Sequence, residues 1–433
     1  MPIPAALDEV HWSRTAAPAP EALLLEGDIT ADVIVVGGGL SGTRTALGLA
    51  ESGAKVALLE AKRIGWGASG RSGGQCNPIW RATPQDLAGR LGDACANRLV
   101  RATLTSADDL FADIRRYDID CDAEQNGWVQ AAHCKSEAAS LIELAEAWNA
   151  VGGEIGVLEG PEVAKVSGSE AYRFALFHKR GGHVQPLSLT RGFARAAEKH
   201  GAQLYENASV RSMSRVNGKW KVATSTGSVT ARQVILTTNA YTNGLWPGLQ
   251  QTFFPMVSIS LATAPLSDSL QQSVLPADVT ISDSRRAIYY ARYDRDKRLI
   301  FGCVGSNDSV ETLGGIKRLQ RGLDTVFPQL KNTPIETVWA GRIAVTPEMM
   351  PHLHEPDEGV LAALGFSGRG IAMTSVMAKG LVHKTMGGSE EDLPFPVTPI
   401  KRIPFHWAAT KMLPLAAPAM TIRDSLDGIL GRK

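Results

Sequence analysis

The sequence predicts an α/β fold on three observations. A short apolar run, Ala31-Asp32-Val33-Ile34-Val35-Val36, stops abruptly at the glycines of Gly37-Gly38-Gly39-Leu40-Ser41-Gly42. A stretch with Ala46, Leu47, Leu49 and Ala50 at helical spacing follows, and Lys55-Val56-Ala57-Leu58-Leu59 then reads as a second strand ending at Glu60. Strand, tight turn, helix, strand and acid in that order make a Rossmann-like dinucleotide-binding unit.

Each element has a physical reason. The β-branched run suits a parallel strand buried on both faces. Gly37 permits the turn, Gly39 lets a pyrophosphate approach the backbone, and Gly42 allows close contact between helix and strand. The helix N-terminus, opening at Leu40 and Ser41, presents free N–H groups to an anion. Glu60 lies 18 residues beyond Gly42, where the fingerprint places an acid that accepts both ribose hydroxyls.

The loop that follows narrows the ligand. Gly65-Trp66-Gly67-Ala68-Ser69-Gly70-Arg71-Ser72-Gly73-Gly74-Gln75 comes directly after the ribose-binding acid. A surface linker has no need of Arg71 inside a run of small residues, whereas a backbone wrapped around a flavin and its phosphates does.

Bulk properties exclude other classes. The 433 residues carry 45 Lys+Arg against 44 Asp+Glu, a formal net charge of +1, so neither nucleic acid nor an acidic surface is suggested by overall charge. With 44% hydrophobic and 21% charged residues, the chain reads as an ordinary globular protein with two or three cores. Cys76, Cys95, Cys121, Cys134 and Cys303 form no CxxC or Cys/His cluster, which argues against a disulfide framework or a metal site and fits a reducing cytoplasm. No secretory signal and no spanning helix are read. The Pro/Ala-rich Ala16 to Pro20 is expected to be part of an extended arm over residues 1–31. From Phe405 to Leu430, Trp407, Met412, Leu413 and Leu415 mix with Lys411 and Arg423, while Pro414 and Pro418 interrupt the amphipathic period. This tail either packs on its own domain or gives peripheral contact with the inner face of a membrane.

The pattern GGGxSGxxxAxxLAxxGxxVxLLE followed by GxGASGRSGGQ resembles the FAD-dependent amine and amino-acid oxidases of the D-amino acid oxidase, glycine oxidase and sarcosine oxidase superfamily. Within it, GASGRSGGQ is most similar to the γ-glutamylputrescine oxidase branch. The resemblance implies a Rossmann-like FAD-binding domain with an inserted α+β substrate domain built on an antiparallel sheet. The expected division is 32–95, 179–244 and 336–390 for the FAD-binding domain, 96–178 and 245–335 for the substrate domain, and 391–433 for the tail. It also implies that Ala68, Ser69, Arg71, Ser72, Gly73, Gly74 and Gln75 lie along the flavin.

Further segments agree. Gly181-Gly182-His183-Val184-Gln185-Pro186 precedes a helical stretch, Leu187 to His200, then strand-like Ala202 to Tyr205 and Ser209 to Ser212. This resembles the family's return to the FAD domain, with Val210 approaching the adenine. Gln233 to Tyr241 is a β-branched run ending in small polar residues, and its Asn239 is placed at the nucleotide. Gly359 to Leu364 feeds Gly365-Phe366-Ser367-Gly368-Arg369-Gly370-Ile371 and a helix. The family's equivalent helix points at the flavin N1/C2 carbonyl region, which puts Gly368, Arg369, Gly370 and Ile371 there. Ile288 to Tyr293 and Arg298 to Gly302 predict a β-hairpin. Most of its basic residues (Arg285, Arg286, Arg292, Arg295, Lys297, Arg298) are read as a solvated tip; nucleic-acid binding would want aromatics interleaved in a broad basic patch, and the net charge balance of the chain does not support it.

The implied reaction is hydride transfer from the carbon next to an amine nitrogen to flavin N5, giving an imine and then an aldehyde, and with oxygen H2O2. The family's α-carboxylate clamps are missing at their matching positions. Ala372 stands where sarcosine oxidases have lysine, and Ile343, beside Arg342, stands where glycine oxidases have arginine. An amine without an α-carboxylate, such as γ-glutamylputrescine, is favoured. The competing substrate is a secondary or cyclic amino acid such as L-pipecolate, held by Arg292, Arg342 or a tyrosine of Tyr289-Tyr290. His183, Tyr290 and Arg342 are the candidate catalytic side chains. Ile300 falls near the lysine that sarcosine oxidases use with oxygen, so a quinone is a second acceptor. FAD is expected to be noncovalent, because Gly341 stands near the family's thioether cysteine and the glycine-rich loop lacks histidine. Cys303 is read as a buried apolar residue. A non-catalytic FAD-binding subunit is the reading from another class.

Overall fold

The computed structural model describes residues 6–306 and 315–430; residues 1–5, 307–314 and 431–433, parts of the expected arm, insert and tail, lie outside the described residues. The six-stranded sheet runs His352–Asp357, Val360–Leu364, Gln233–Leu236, Val33–Val36, Val56–Leu59, Gln203–Tyr205, parallel except at its first pair. Alternation along Val33–Val36 sends Val33 and Val35 into one core and Ile34 and Val36 into another. The first core lies under helices Leu40–Glu51, Asp93–Arg116, Pro186–Lys199 and Gly370–Thr385. The second is covered by a four-stranded sheet whose Trp220, Val222 and Val229 are buried there. A strand with apolar side chains on both faces is thus used on both faces.

The eight-stranded sheet runs Ile335–Val345, Phe254–Pro265, Arg298–Gly305, Tyr290–Tyr293, Thr280–Asp283, Trp128–Ala131, Phe174–His178, Ile155–Glu159. Its pairs are antiparallel except where Thr280–Asp283 meets Trp128–Ala131. The hairpin read from the sequence is present, with its tip at 294–297.

Several expectations are corrected. Residues 336–345 pair with Phe254–Pro265, so they belong to the large sheet rather than the nucleotide-binding one. Conversely, Leu99, Leu110 and Phe111 of Asp93–Arg116 share the core of the nucleotide-binding half. Residues 209–211 are irregular, and the strand starts at Ser212. The N-terminal segment is no loose arm. Leu7, Val10 and Trp12 are buried against Leu187, Ile300 and Trp339, and Gly27–Thr30 joins the four-stranded sheet. Even Ala17 is pinned, its N–H to Ser188 Oγ at 2.9 Å and its carbonyl to Arg191 at 2.8 Å. Arg292 is not at a solvated tip but 1% exposed. The tail is one helix, His406–Leu430, continuing through Pro414 and Pro418. It is held where Arg286 donates to Asp424 at 3.1 Å and Asp427 at 2.6 Å, and where His406 Nε2 donates to the Phe253 carbonyl at 2.8 Å. No described helix is long and apolar enough to cross a membrane.

Candidate active site

A cleft of about 640 Å³ opens where Val36, Leu59 and Thr237 end their parallel strands, and Ser258, Tyr290, Val304 and Ile343 of the large sheet close it. The carboxyl ends of parallel strands are where open α/β sheets bind ligands.

Its first half is built on the glycine turn. Gly37 has φ +110°, and a Cβ on Gly42 would lie 1.9 Å from the Gly37 carbonyl oxygen and 2.8 Å from Thr237 Oγ1. Gly42 therefore does not line the cleft; it lets the helix sit close enough for Gly37, Gly39, Leu40 and Ser41 to do so. Leu40 N–H donates to Ser69 Oγ at 2.8 Å, joining the helix N-terminus to the glycine-rich loop. Glu60 accepts from Gly38 N–H at 2.7 Å and Lys62 N–H at 2.8 Å. Burial pushes its carboxyl above the usual range, against those two donors. Val210 lines the same end.

The loop supplies Ala68, Ser69, Ser72, Gly73, Gly74 and Gln75 to the wall, and Gln75 Nε2 donates to the carbonyls of Ile281 and Ala291, each at 3.0 Å. Asn239 also lines the cleft and accepts from Gly365 N–H at 2.9 Å. Gly368, Gly370 and Ile371 complete it at the N-terminus of the late helix.

Four predicted side chains lie elsewhere. Arg71 donates to the carbonyls of Trp66 at 2.9 Å and Ala340 at 3.3 Å, so it braces the loop against the large sheet. Arg369 stacks on Trp128 at 5.0 Å, and burial with Arg81 nearby pushes its pKa down to about 9. His183 pairs with Gln75 in a two-stranded ladder, and its ring is buried; burial and Arg292 hold it well below the usual histidine range. Arg342 sits over the Tyr241 ring at 5.8 Å, while Ile343 faces the cleft, as strand alternation requires. Tyr290 alone of the catalytic candidates lines it. Its hydroxyl meets Ser258 Oγ at 2.9 Å and Ser260 Oγ at 2.8 Å, and burial raises its pKa.

Whether this cleft fits a large polar ligand can be judged from its unsatisfied atoms. Ser72 Oγ, Asn77 Oδ1 and Thr374 Oγ1 line it, are buried, and have no hydrogen-bond partner. Buried polar atoms without partners are uncommon, so three in one cleft mark a place for a ligand bearing its own donors and acceptors. Asn77 and Thr374 were missed in the sequence although both carry a signal. Asn77 is two residues beyond Gln75 on extended chain, and Thr374 is one helical turn beyond Gly370. Ser258 carries none, because only sheet pairing brings it to Tyr290.

Among the described lining residues the charged side chains are Glu60 and Lys62, both at the glycine-turn end; Trp66, Tyr241, Leu245, Ile288, Ile343 and Phe366 make the remaining walls largely apolar. One group of metal-ligand type exists among the described residues, His133, Asp424 and Asp427, but Arg286 already engages both carboxylates.

Comparison with known proteins agrees with this geometry. The family model described as FAD dependent oxidoreductase matches residues 32–384. The chain is 32% identical to "Gamma-glutamylputrescine oxidoreductase" of Escherichia coli over 396 residues, covering 88% of this chain and 91% of that one. It is also 32% identical to "Probable oxidoreductase OrdL" of Haemophilus influenzae over 366 residues, with 83% and 84% covered. The solved structure of L-proline dehydrogenase from P. horikoshii superposes with a TM-score of 0.72 at 21% identity, over 86% of this chain and 96% of that one. The orphaned polar atoms, the glycine turn with its acid and the match over residues 32–384 converge, and the chain belongs to the D-amino acid oxidase-type family of FAD-dependent oxidoreductases, as an enzyme that uses FAD.

Proposed function

We propose that the enzyme oxidises an aliphatic amine with no carboxylate on the carbon that is oxidised, of the γ-glutamylputrescine kind, using noncovalent FAD and either oxygen or a membrane quinone as acceptor. The observation that carries this reading is the absence of an arginine or lysine from the described walls of the cleft beyond Lys62. A carboxylate on the reacting carbon would be held inside the cleft and needs a buried cation or several donors to offset its desolvation, whereas the glutamyl carboxylate of γ-glutamylputrescine lies at the far end of that molecule from the reacting amine. Arg292, the buried candidate, spends its donors on the carbonyls of Gly73, Tyr293 and Val184. The similarity to the E. coli γ-glutamylputrescine oxidoreductase points the same way.

Bound FAD supplies a two-electron acceptor for the hydride leaving the carbon next to nitrogen, and water hydrolyses the resulting imine. The chain's own residues orient and desolvate the substrate. Apolar walls without a nearby carboxylate favour the neutral amine, the form that carries the lone pair needed to expel hydride. Tyr290, fixed by two serines and held neutral by burial, offers the amine a positioned hydroxyl. His183 and Arg71, proposed at the outset for the substrate or the flavin, act through the backbone they pack on, and Arg342 acts through Tyr241, over whose ring it sits.

Tyr290→Phe is expected to lower kcat/KM for the amine about threefold to tenfold, the value of one neutral hydrogen bond, with flavin content unchanged. Because the phenol's pKa is raised, kcat/KM climbs with pH as free amine forms, and the variant keeps the same profile. A profile whose shape changes in Tyr290→Phe would contradict this role. Glu60→Ala should loosen FAD about a hundredfold, measured by ultrafiltration of released flavin, since it removes a charged acceptor at the nucleotide end. Substrate class is tested by anaerobic bleaching of the flavin band with γ-glutamylputrescine and L-pipecolate in parallel. Bleaching by the first alone is expected, and bleaching by the second alone overturns the reading.

A further inference from the structure

The tail helix His406–Leu430 meets the large sheet with one side only. Ala417 and Asp424 are buried there, and Arg286 binds both Asp424 and Asp427. At 3.6 residues per turn, Trp407, Met412, Leu415, Ile422 and Leu426 fall in one sector of about 140°, opposite Ala417 and Asp424. They are 67%, 58%, 55%, 64% and 52% exposed, and Phe405, just before the helix, is 80% exposed. Soluble surfaces expose single apolar side chains, seldom a row of this length.

The charge on this segment has one sign where it is exposed. Lys401, Arg402, Lys411 and Arg423 are exposed, with Arg423 at the border of the apolar row and Lys411 within it, its Nζ 5.3 Å over the Trp407 ring. The only acids from 401 to 433 are Asp424 and Asp427, both turned to Arg286. A second copy docking here would bring cation to cation with no acid on the row to meet them. We propose that this face rests on an anionic phospholipid surface, with Phe405 and Trp407 at headgroup depth and the cations among the phosphates. The helix packs on Phe254–Pro265 and Arg298–Gly305, whose Ser258 and Val304 line the cleft, so the active site is carried to the lipid surface. The proposal extends the membrane-quinone arm of the proposed function, but its test does not depend on which amine is oxidised.

Flavin-loaded full-length protein is mixed with vesicles of phosphatidylglycerol and phosphatidylcholine, or of phosphatidylcholine alone, and sedimented. Binding to the anionic vesicles is expected, weakened by salt. The triple variant Trp407→Ser, Leu415→Ser, Ile422→Ser should lose about a hundredfold in affinity, and Lys411→Gln with Arg423→Gln about tenfold, both keeping flavin content and amine bleaching. Failure of the parent to sediment with anionic vesicles overturns the proposal, as does equal binding by the triple variant. A dimer that becomes monomeric in the triple variant, without vesicle binding by the parent, would assign the face to a second copy. Loss of amine bleaching in the parent would count against the substrate reading alone.

Discussion

Gly42→Val yields a protein that purifies without yellow colour and unfolds at a markedly lower temperature than the parent. The added Cβ alone would stand 1.9 Å from the Gly37 carbonyl oxygen, a backbone atom that cannot step aside without opening the turn. Overpacking of this kind costs about 3 kcal/mol or more. The displacement falls on Gly37, Gly39, Leu40 and Ser41, all of which line the cleft. The matched control is Gly89→Ala in helix Pro84–Leu91, where a Cβ meets nothing within 4 Å. That change should leave flavin content unaltered and gain up to about 1 kcal/mol from helix propensity. Absorbance at the flavin band relative to protein, with a thermal melt, checks both; a yellow Gly42→Val protein with the parent's melt would refute the argument.

The second large effect is Arg292→Met. The guanidinium donates to the Gly73 carbonyl at 2.7 Å, to Val184 at 2.7 Å and to Tyr293 at 2.8 Å, and it stacks on Trp12 at 4.5 Å. Burial pushes its pKa down to about 10, which leaves it charged at neutral pH. Methionine fills similar space but leaves those carbonyls without a donor, at about 1 to 3 kcal/mol each. The Gly73 carbonyl belongs to the cleft wall, so FAD affinity should fall about tenfold along with the thermal midpoint. Arg292→Lys, which can restore one or two of the bonds, is expected to lie between the two. Unchanged flavin affinity and stability in Arg292→Met would show that the loop holds its shape unaided.

The nucleotide half of the site was legible because its determinants are local. Strand, turn, helix and acid are contiguous from Val33 to Glu60, and each glycine follows from backbone geometry within a few residues. The large sheet was legible only at the hairpin of Tyr290–Tyr293 with Arg298–Gly305, since the pairing of Phe254–Pro265 with Ile335–Val345 joins segments distant in sequence. That is why residues 336–345 were placed in the wrong half. Arg71, His183, Arg342 and Arg369 share another cause. A polar side chain in a ligand-binding loop looks like a ligand contact, but whether it faces the cleft or braces the backbone behind it depends on neighbours that arrive from other elements. Arg292 failed in the reverse direction: a charged residue beside a hairpin turn reads as solvated until a tryptophan from position 12 is found packed over it.

The order of the six-stranded sheet also dictates a timetable. Val33–Val36 leaves the ribosome early, yet its neighbour Gln233–Leu236 and the strand beyond, Val360–Leu364, are made about 200 and 330 residues later. Thr237, Asn239 and the Asn239–Gly365 bond that shape the cleft arrive with them. The cleft is therefore complete only once Val360–Leu364 has been made, and until then Gln233–Leu236 has one apolar edge without its strand partner.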